Sequence, residues 1–380
     1  MAKSIVTLPN PGTAISFSGG KMDELSHEIA RGLDCVYLLP EVPFWFMVGP
    51  EGDRVLGRLK RLEKDGLMKL LMEECGMGAE EALLEVQHLF ASITVPDLPP
   101  YRGRGQLEPV MIKELWFHLL DACNLACSHC LFSMERRQKR VLPLDTVSGV
   151  IRDALGQGLE LVCLTGGEPL LYQDLIHLLK TCIDDYGLDV AILTNGILLD
   201  DLVGALPGHF RERLHFQVSI DGPEEIHDGI RGKGAFKKMA QGVSALLGRG
   251  FSVTASMTVN SMTIKGLLEA LESIVHMGIK NMHLMWHFDE GSGRGMSPGH
   301  DHHLLRLFSR FLKRSDELGV EIDNLSALRS QLFSPPGTRF DLGNGGWESL
   351  TIGPDGAVWP TPARVDRRGF LSGRLGGDGA

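Results

Sequence analysis

From residue 111 to residue 318 the chain alternates short apolar runs of β type with longer stretches of helical periodicity, and few folds accept that pattern. The strand-like runs are 111–119, 159–165, 189–194, 214–220, 251–259 and 281–287. Helical spacing of apolar residues fills 144–156, 173–186, 198–206, 236–249 and 263–277 between them, and 301–318 after the last. Strands separated by helices pair in parallel, because a crossover helix returns each strand to the same end of the sheet. Such alternation implies an α/β fold, either an open sheet or a barrel, and six units fit a partial (β/α)6 TIM-like barrel over residues 110–322. Ligands of parallel α/β folds gather at the carboxyl ends of the strands, so those ends are where functional residues are sought.

The first strand runs into DACNLACSHCLF, which holds Cys123, Cys127 and Cys130. Three thiolates at C-x3-C-x2-C pitch can hold three corners of a cubane iron–sulfur cluster and leave one iron open to react. The alternative is a zinc site completed by His129, although the spacing is not a paired C-x2-C. The second strand ends in Thr165-Gly166-Gly167-Glu168-Pro169, the third in Thr194-Asn195-Gly196, and the fourth in Ser219-Ile220-Asp221-Gly222-Pro223. Glycines let backbone approach a ligand closely. Hydroxyl, amide and carboxylate at successive strand ends would ring the cysteine loop, and Ser219 and Asp221, two apart, face the same way. Met285, Trp286 and His287 close the sixth strand, either bordering a substrate cavity or packing in the core. Cys35, Cys75, Cys163 and Cys182 are scattered and read as small buried apolar residues.

The net charge of −10 gives no basic face for nucleic acid or an anionic membrane. No stretch reaches the ~18 apolar residues of a membrane span, and the first residues lack a secretory apolar core. Seven cysteines in such a chain point to metal or catalytic use in a reducing, cytoplasmic setting.

The ordered set CNLACSHC, TGGEP, LTNG, VSIDGPEEIHDGIRGKGAF and TVN resembles the radical S-adenosylmethionine (radical SAM) enzymes over roughly residues 110–300. The resemblance implies one [4Fe–4S] cluster on Cys123, Cys127 and Cys130, with SAM on the open iron. In that family, one electron from the reduced cluster cleaves SAM to methionine and a 5′-deoxyadenosyl radical, which takes a hydrogen atom from substrate. It further implies that His129 packs near the adenine, that Gly166, Gly167 and Glu168 receive the methionine ammonium, and that Ser219 and Arg231 hold the ribose and carboxylate. Asn195, Asp221 and Asn260 are further implied contacts, and a flavodoxin or ferredoxin is the implied kind of reductant.

Residues 1–29 are an N-terminal segment, and 30–95 are expected to form a small α+β, winged-helix-like domain. A strand-like run over 35–48 leads to a Gly49-Pro50-Glu51-Gly52 turn, then helical spacing of Leu56, Leu59, Leu62, of Leu67, Leu70, Leu71, and of Leu83, Leu84, Val86, Leu89, Phe90. This module resembles the leader-binding domain of enzymes that mature ribosomally made precursor peptides, in which the leader adds a strand to a sheet edge. A Pro- and Gly-rich linker, 96–109, follows it.

Beyond the barrel, residues 323–380 contain GNGGWESLTIGPDGAVWPTPA, which resembles the opening of the SPASM extension of peptide-modifying radical SAM enzymes. There a Gly-x4-Cys element ligates an auxiliary cluster; here Gly356 is followed at that spacing by Thr361, and no cysteine lies after Cys182. The segment therefore reads as a SPASM-like remnant, either shortened or ended early. The resemblances together imply a peptide maturase. The alternatives are a maturase of a protein side chain in the manner of sulfatase maturation, a radical SAM enzyme of small molecules, or a non-catalytic partner that binds peptide or cluster.

Overall fold

The computed structural model describes residues 15–16, 35–39, 44–48, 61–62, 64–92, 111–132, 139–298, 302–325, 345–346 and 348–376. The linker 96–109 and the turn at 49–52 lie outside them. The chain divides into two compact units, one of residues 109–300, 307–326 and 343–380, the other of 1–108, 301–306 and 327–342.

In the larger unit the strands are β1 (Glu114–His118), β2 (Leu161–Thr165), β3 (Asp189–Thr194), β4 (Leu214–Ser219), β5 (Ser252–Val259), β6 (Asn281–Trp286) and β7 (Glu321–Ile322). Each pairs in parallel with the next, so the sheet is wound in one direction, as a partial TIM-like barrel requires. The helices are α1 (Leu144–Leu155), α2 (Leu175–Lys180), α3 (Leu199–Val203), α4 (Glu224–Arg231), α5 (Ala235–Gly248), α6 (Leu267–His276) and α7 (His302–Leu318). All six expected strands and all six expected helical stretches are present. Helix α4 is an addition: eight residues rich in charge present too short an apolar stripe to register as a period.

Alternation along the strands gives the sheet two unlike faces. Leu115, Phe117, Val162, Leu164, Val190, Ile192, Phe216 and Val218 are almost fully buried in one core with the helices, joined by Leu178, Val243 and Leu271. Truncating a phenylalanine there, such as Phe216, would cost about 3–5 kcal/mol. The opposite face carries the residues between them, including Trp116, His118, Cys163, Thr165, Gln217 and Ser219.

Three further strands extend the sheet beyond β1: β8 (Ser349–Ile352), parallel to β1, then β9 (Ala357–Trp359) and β10 (Gly373–Arg374), both antiparallel. The C-terminal segment therefore continues the sheet itself.

The smaller unit corrects two expectations. The run over 35–48 is a hairpin of Cys35–Leu39 and Phe44–Val48, paired from Cys35↔Val48 to Leu39↔Phe44. Pro40 and Pro43 interrupt the run, and proline donates nothing to a ladder. Leu62 is not helical: Arg61–Leu62 pairs with Ile15–Ser16. Two helices follow, Lys64–Cys75 and Ala79–Ser92. Leu67, Ala82 and Val86 face inward, whereas Leu83 and Leu84 are exposed. No described helix is long and apolar enough to cross a membrane.

Candidate radical SAM site

The cysteine loop leaves β1 and is held by the end of β2. The Leu119 N–H donates to Thr165 O (2.9 Å), the Gly167 N–H to Leu120 O (2.7 Å) and the Glu168 N–H to Ala122 O (2.9 Å). This contact requires the paired glycines. A Cβ on Gly166 would stand 2.6 Å from Leu120 O, and one on Gly167 would stand 2.2 Å from Ala122 O and 2.5 Å from Asp121 O. Gly166 also takes φ +142°, a conformation other residues rarely adopt.

Glu168 is buried and fixed. It accepts from Thr194 Oγ1 (2.7 Å), the Asn195 N–H (2.9 Å) and the Leu170 N–H (3.1 Å). Burial raises its pKa, and those hydrogen bonds oppose the rise. Asn195 then reaches the front of the loop, its Nδ2 donating to Asn124 Oδ1 at 2.8 Å and lying 3.8 Å from Cys123 Sγ. Residues of β2, β3 and the loop thus form one hydrogen-bonded unit.

The back of the loop is held from α4. The Ser128 N–H donates to Ile230 O (3.1 Å), and Arg231 Nη1 lies 3.9 Å from Cys127 Sγ. Between them sits Asp221, fully buried, with Oδ2 at 3.1 Å from His129 Nε2 and 2.5 Å from Arg231 Nε. Burial alone would raise the Asp221 pKa, but Arg231 and His129 outweigh it and hold the carboxyl far below the usual carboxylate range. Asp221 therefore ties two predicted site residues to each other. His227, also buried, accepts from the Asp221 N–H at Nδ1 (3.4 Å), and burial together with Arg231 lowers its pKa to about 4.

Ser219 is half-buried at the end of β4, in register with Ser256. Asn260, just past β5, is fully buried; its Oδ1 accepts from the Met262 and Thr263 N–H groups, and its Nδ2 has no partner among the described residues. His287 is bound to Gly293 O (2.8 Å), whereas Met285 and Trp286 are exposed, and Trp286 stacks on Phe308. Cys163 and Cys182 are buried as expected; the side chains of Cys35 and Cys75 lie outside the described residues. A surface groove of about 680 Å³ lined by Asp200, Glu224 and Phe236 carries no thiol and is separate from this chemistry.

Sequence reasoning missed Asp121, Asn124, Arg140 and Glu290 around the loop. Asn124 lay in the motif as quoted, but its partner sits 71 positions away. Arg140 and Glu290 had no local pattern to mark them.

The donor set fits the cofactors that the motifs imply. Cys123, Cys127 and Cys130 are half-buried thiols on one anchored loop. Burial pushes the Cys127 thiol up to about 11 while Arg231 pulls it down, so ligation would release protons. The buried Asn260 Nδ2 is a donor awaiting an acceptor.

Residues 118–280 match the model of the Radical SAM superfamily. Proteins of that superfamily work with SAM and a [4Fe–4S] cluster on three cysteines, and the match takes in Cys123, Cys127 and Cys130. Among proteins the chain resembles, the sporulation killing factor maturation protein SkfB of Bacillus subtilis is 26% identical over 242 residues, 62% of this chain and 58% of SkfB. A GTP 3′,8-cyclase of Alkaliphilus oremlandii is 28% identical over 145 residues, 37% of this chain and 45% of the cyclase. The chain thus spans about half the length of these curated relatives. In fold it is similar to Streptococcus suis SuiB, solved bound to its precursor peptide SuiA, with a TM-score of 0.55 at 13% identity over 89% of this chain and 82% of SuiB.

Proposed function

We propose that the protein is a radical SAM maturase of a ribosomally made precursor peptide. Cys123, Cys127 and Cys130 hold the cluster, and residues 30–95 bind the leader. The bound cofactors would supply a 5′-deoxyadenosyl radical for hydrogen abstraction from the core peptide. The chain's own residues do the positioning. Asn195 and Glu168 fix the front of the loop, and Arg231 and His129, joined by Asp221, fix its back. Asn260 offers its amide to the bound cofactor. Arg231 is a permanent cation beside the thiols. An electron donor of flavodoxin or ferredoxin type is required.

The observation that carries this reading is the extent of the likeness to SuiB, which takes in 89% of the chain where the superfamily match takes in residues 118–280. The hairpin Cys35–Leu39/Phe44–Val48 supports it, because among the described residues each strand pairs only with the other. An edge of this kind can accept a peptide strand. The second reading is a radical SAM enzyme of a small molecule, favoured by the identity to GTP 3′,8-cyclases. Co-expression with a candidate precursor peptide followed by mass spectrometry separates them. A mass change on the peptide, and loss of its binding on deleting residues 1–95, supports the maturase. Turnover of GTP with no peptide product supports the alternative.

A further inference from the structure

The C-terminal segment is tied to both ends of the cysteine loop through two intermediaries, Arg140 and Glu290, and it has no cysteine of its own. Upstream of Cys123, the guanidinium of Arg140 is bracketed by three carboxylates. Its Nε and Nη2 donate to Asp121 at 2.6 and 3.2 Å, and its Nη1 and Nη2 donate to Asp366 at 3.3 and 2.9 Å. Asp355 lies 3.6 Å from Nη1 and is also paired with Arg374 at 3.2 Å. Asp121 stands two residues before Cys123, while Asp355 and Asp366 belong to the segment that carries β8, β9 and β10.

Downstream of Cys130 the same segment acts through Glu290. Arg364 and Arg367 pair with that carboxylate at 3.5 and 2.5 Å. The residues that follow Glu290 lie on the loop itself. The Ser292 N–H donates to Cys130 O at 2.8 Å. A Cβ on Gly291 would stand 2.2 Å from Leu131 O and 2.4 Å from Cys130 O.

Ordinary surface ion pairs contribute little, because water screens them and ordering long side chains costs entropy. This network differs in three respects. Arg140 makes two paired-fork contacts, the geometry in which guanidinium and carboxylate bind most strongly. Its side chain is 22% exposed and that of Asp121 only 9%. Asp366 takes φ +65°, the one positive φ of a non-glycine among the described residues, so its placement is imposed by its surroundings.

We propose that the C-terminal segment is a clamp that presets the spacing of the three loop thiols, with Arg140–Asp366 as the upstream jaw and Glu290 with Arg364 and Arg367 as the downstream jaw. Asp366 and Glu290 are positioning residues. The clamp works on the thiol loop whatever substrate the enzyme takes, so it stands or falls apart from the peptide reading. Preorganised ligands lose less freedom when a metal group binds.

The test uses the full chain, metal-free and then cluster-loaded, as wild type, Asp366→Asn, Glu290→Gln and Arg140→Lys. Each metal-free protein is pulsed with a maleimide and the labelled cysteines are mapped by mass spectrometry. Asp366→Asn should speed labelling of Cys123 by about five- to tenfold, and Glu290→Gln should do the same for Cys130, since each frees one end of the loop. Arg140→Lys, which keeps the charge and loses the fork, should fall between wild type and Asp366→Asn. The buried Cys163 and Cys182 are internal controls and should stay unlabelled in every variant. On the loaded proteins, the electron paramagnetic resonance spectrum of the reduced cluster should broaden in both neutralised variants. Unchanged loop labelling overturns the clamp. So does faster loop labelling accompanied by equal gains at Cys163 and Cys182, which would report general loosening of the fold.

Discussion

Asp221 sets its Oδ2 3.1 Å from Nε2 of His129, and this contact joins the end of β4 to the cysteine loop between Cys127 and Cys130. The same oxygen meets Arg231 at 2.5 Å, so one buried carboxylate answers two donors from different elements. Removing it leaves a buried guanidinium with no carboxylate. Asp221→Ala is expected to cost about 3–5 kcal/mol, as other broken buried pairs do. Urea denaturation of the metal-free protein measures this, and a loss below about 1 kcal/mol would contradict the burial argument.

Gly167 packs where the loop passes over β2. Gly167→Ala pushes a methyl group against the carbonyls of Asp121 and Ala122, which cannot yield without moving Cys123. The expected result is a fall in bound iron at a stability cost of about 1–3 kcal/mol, the usual range for overpacking. Iron analysis beside a melting curve checks it. Full iron loading in the variant would show that the loop tolerates displacement.

Acid should weaken the fold before it reaches the carboxylates. Burial holds His118 and His227 neutral, lowering both pKa values to about 4. Below pH ~6.5 the unfolded chain takes up protons at these two positions and the folded chain does not. Stability therefore falls with pH from about 6.5 to about 4, by at most ~1.4 kcal/mol per pH unit for each histidine. Asp221 works in a lower window. Its pKa is depressed, so its contribution is whole above the ordinary aspartate pKa and is lost only as pH falls toward the folded value. Urea midpoints at pH 6.5, 5.5 and 4.5 report the slope. His227→Gln should reduce it, and an unchanged slope would show that His227 contributes nothing.

Much of the larger unit was legible because its signals are local. Six apolar runs spaced by helices dictate consecutive parallel strands, and the motifs at their ends converge because those ends share one edge. What stayed hidden depends on distant partners. That Asp221 serves His129 cannot be read from a turn-like Asp-Gly-Pro, and Arg140 lies 226 positions from Asp366. The glycines of TGGE were legible as sites of close approach, but the sequence did not say that the approaching group is the cysteine loop. In the smaller unit, three leucines at helical spacing misled at Leu62, where pairing with Ile15 prevails over local periodicity.

The account rests most directly on the metal that the loop takes. Purified without oxygen and supplied with iron and sulfide, the wild-type chain should bind about four iron atoms and, once reduced, convert SAM to 5′-deoxyadenosine. Cys127→Ala should lose both properties. A protein that keeps zinc in place of iron, or a Cys127→Ala variant that cleaves SAM as well as wild type, would contradict it.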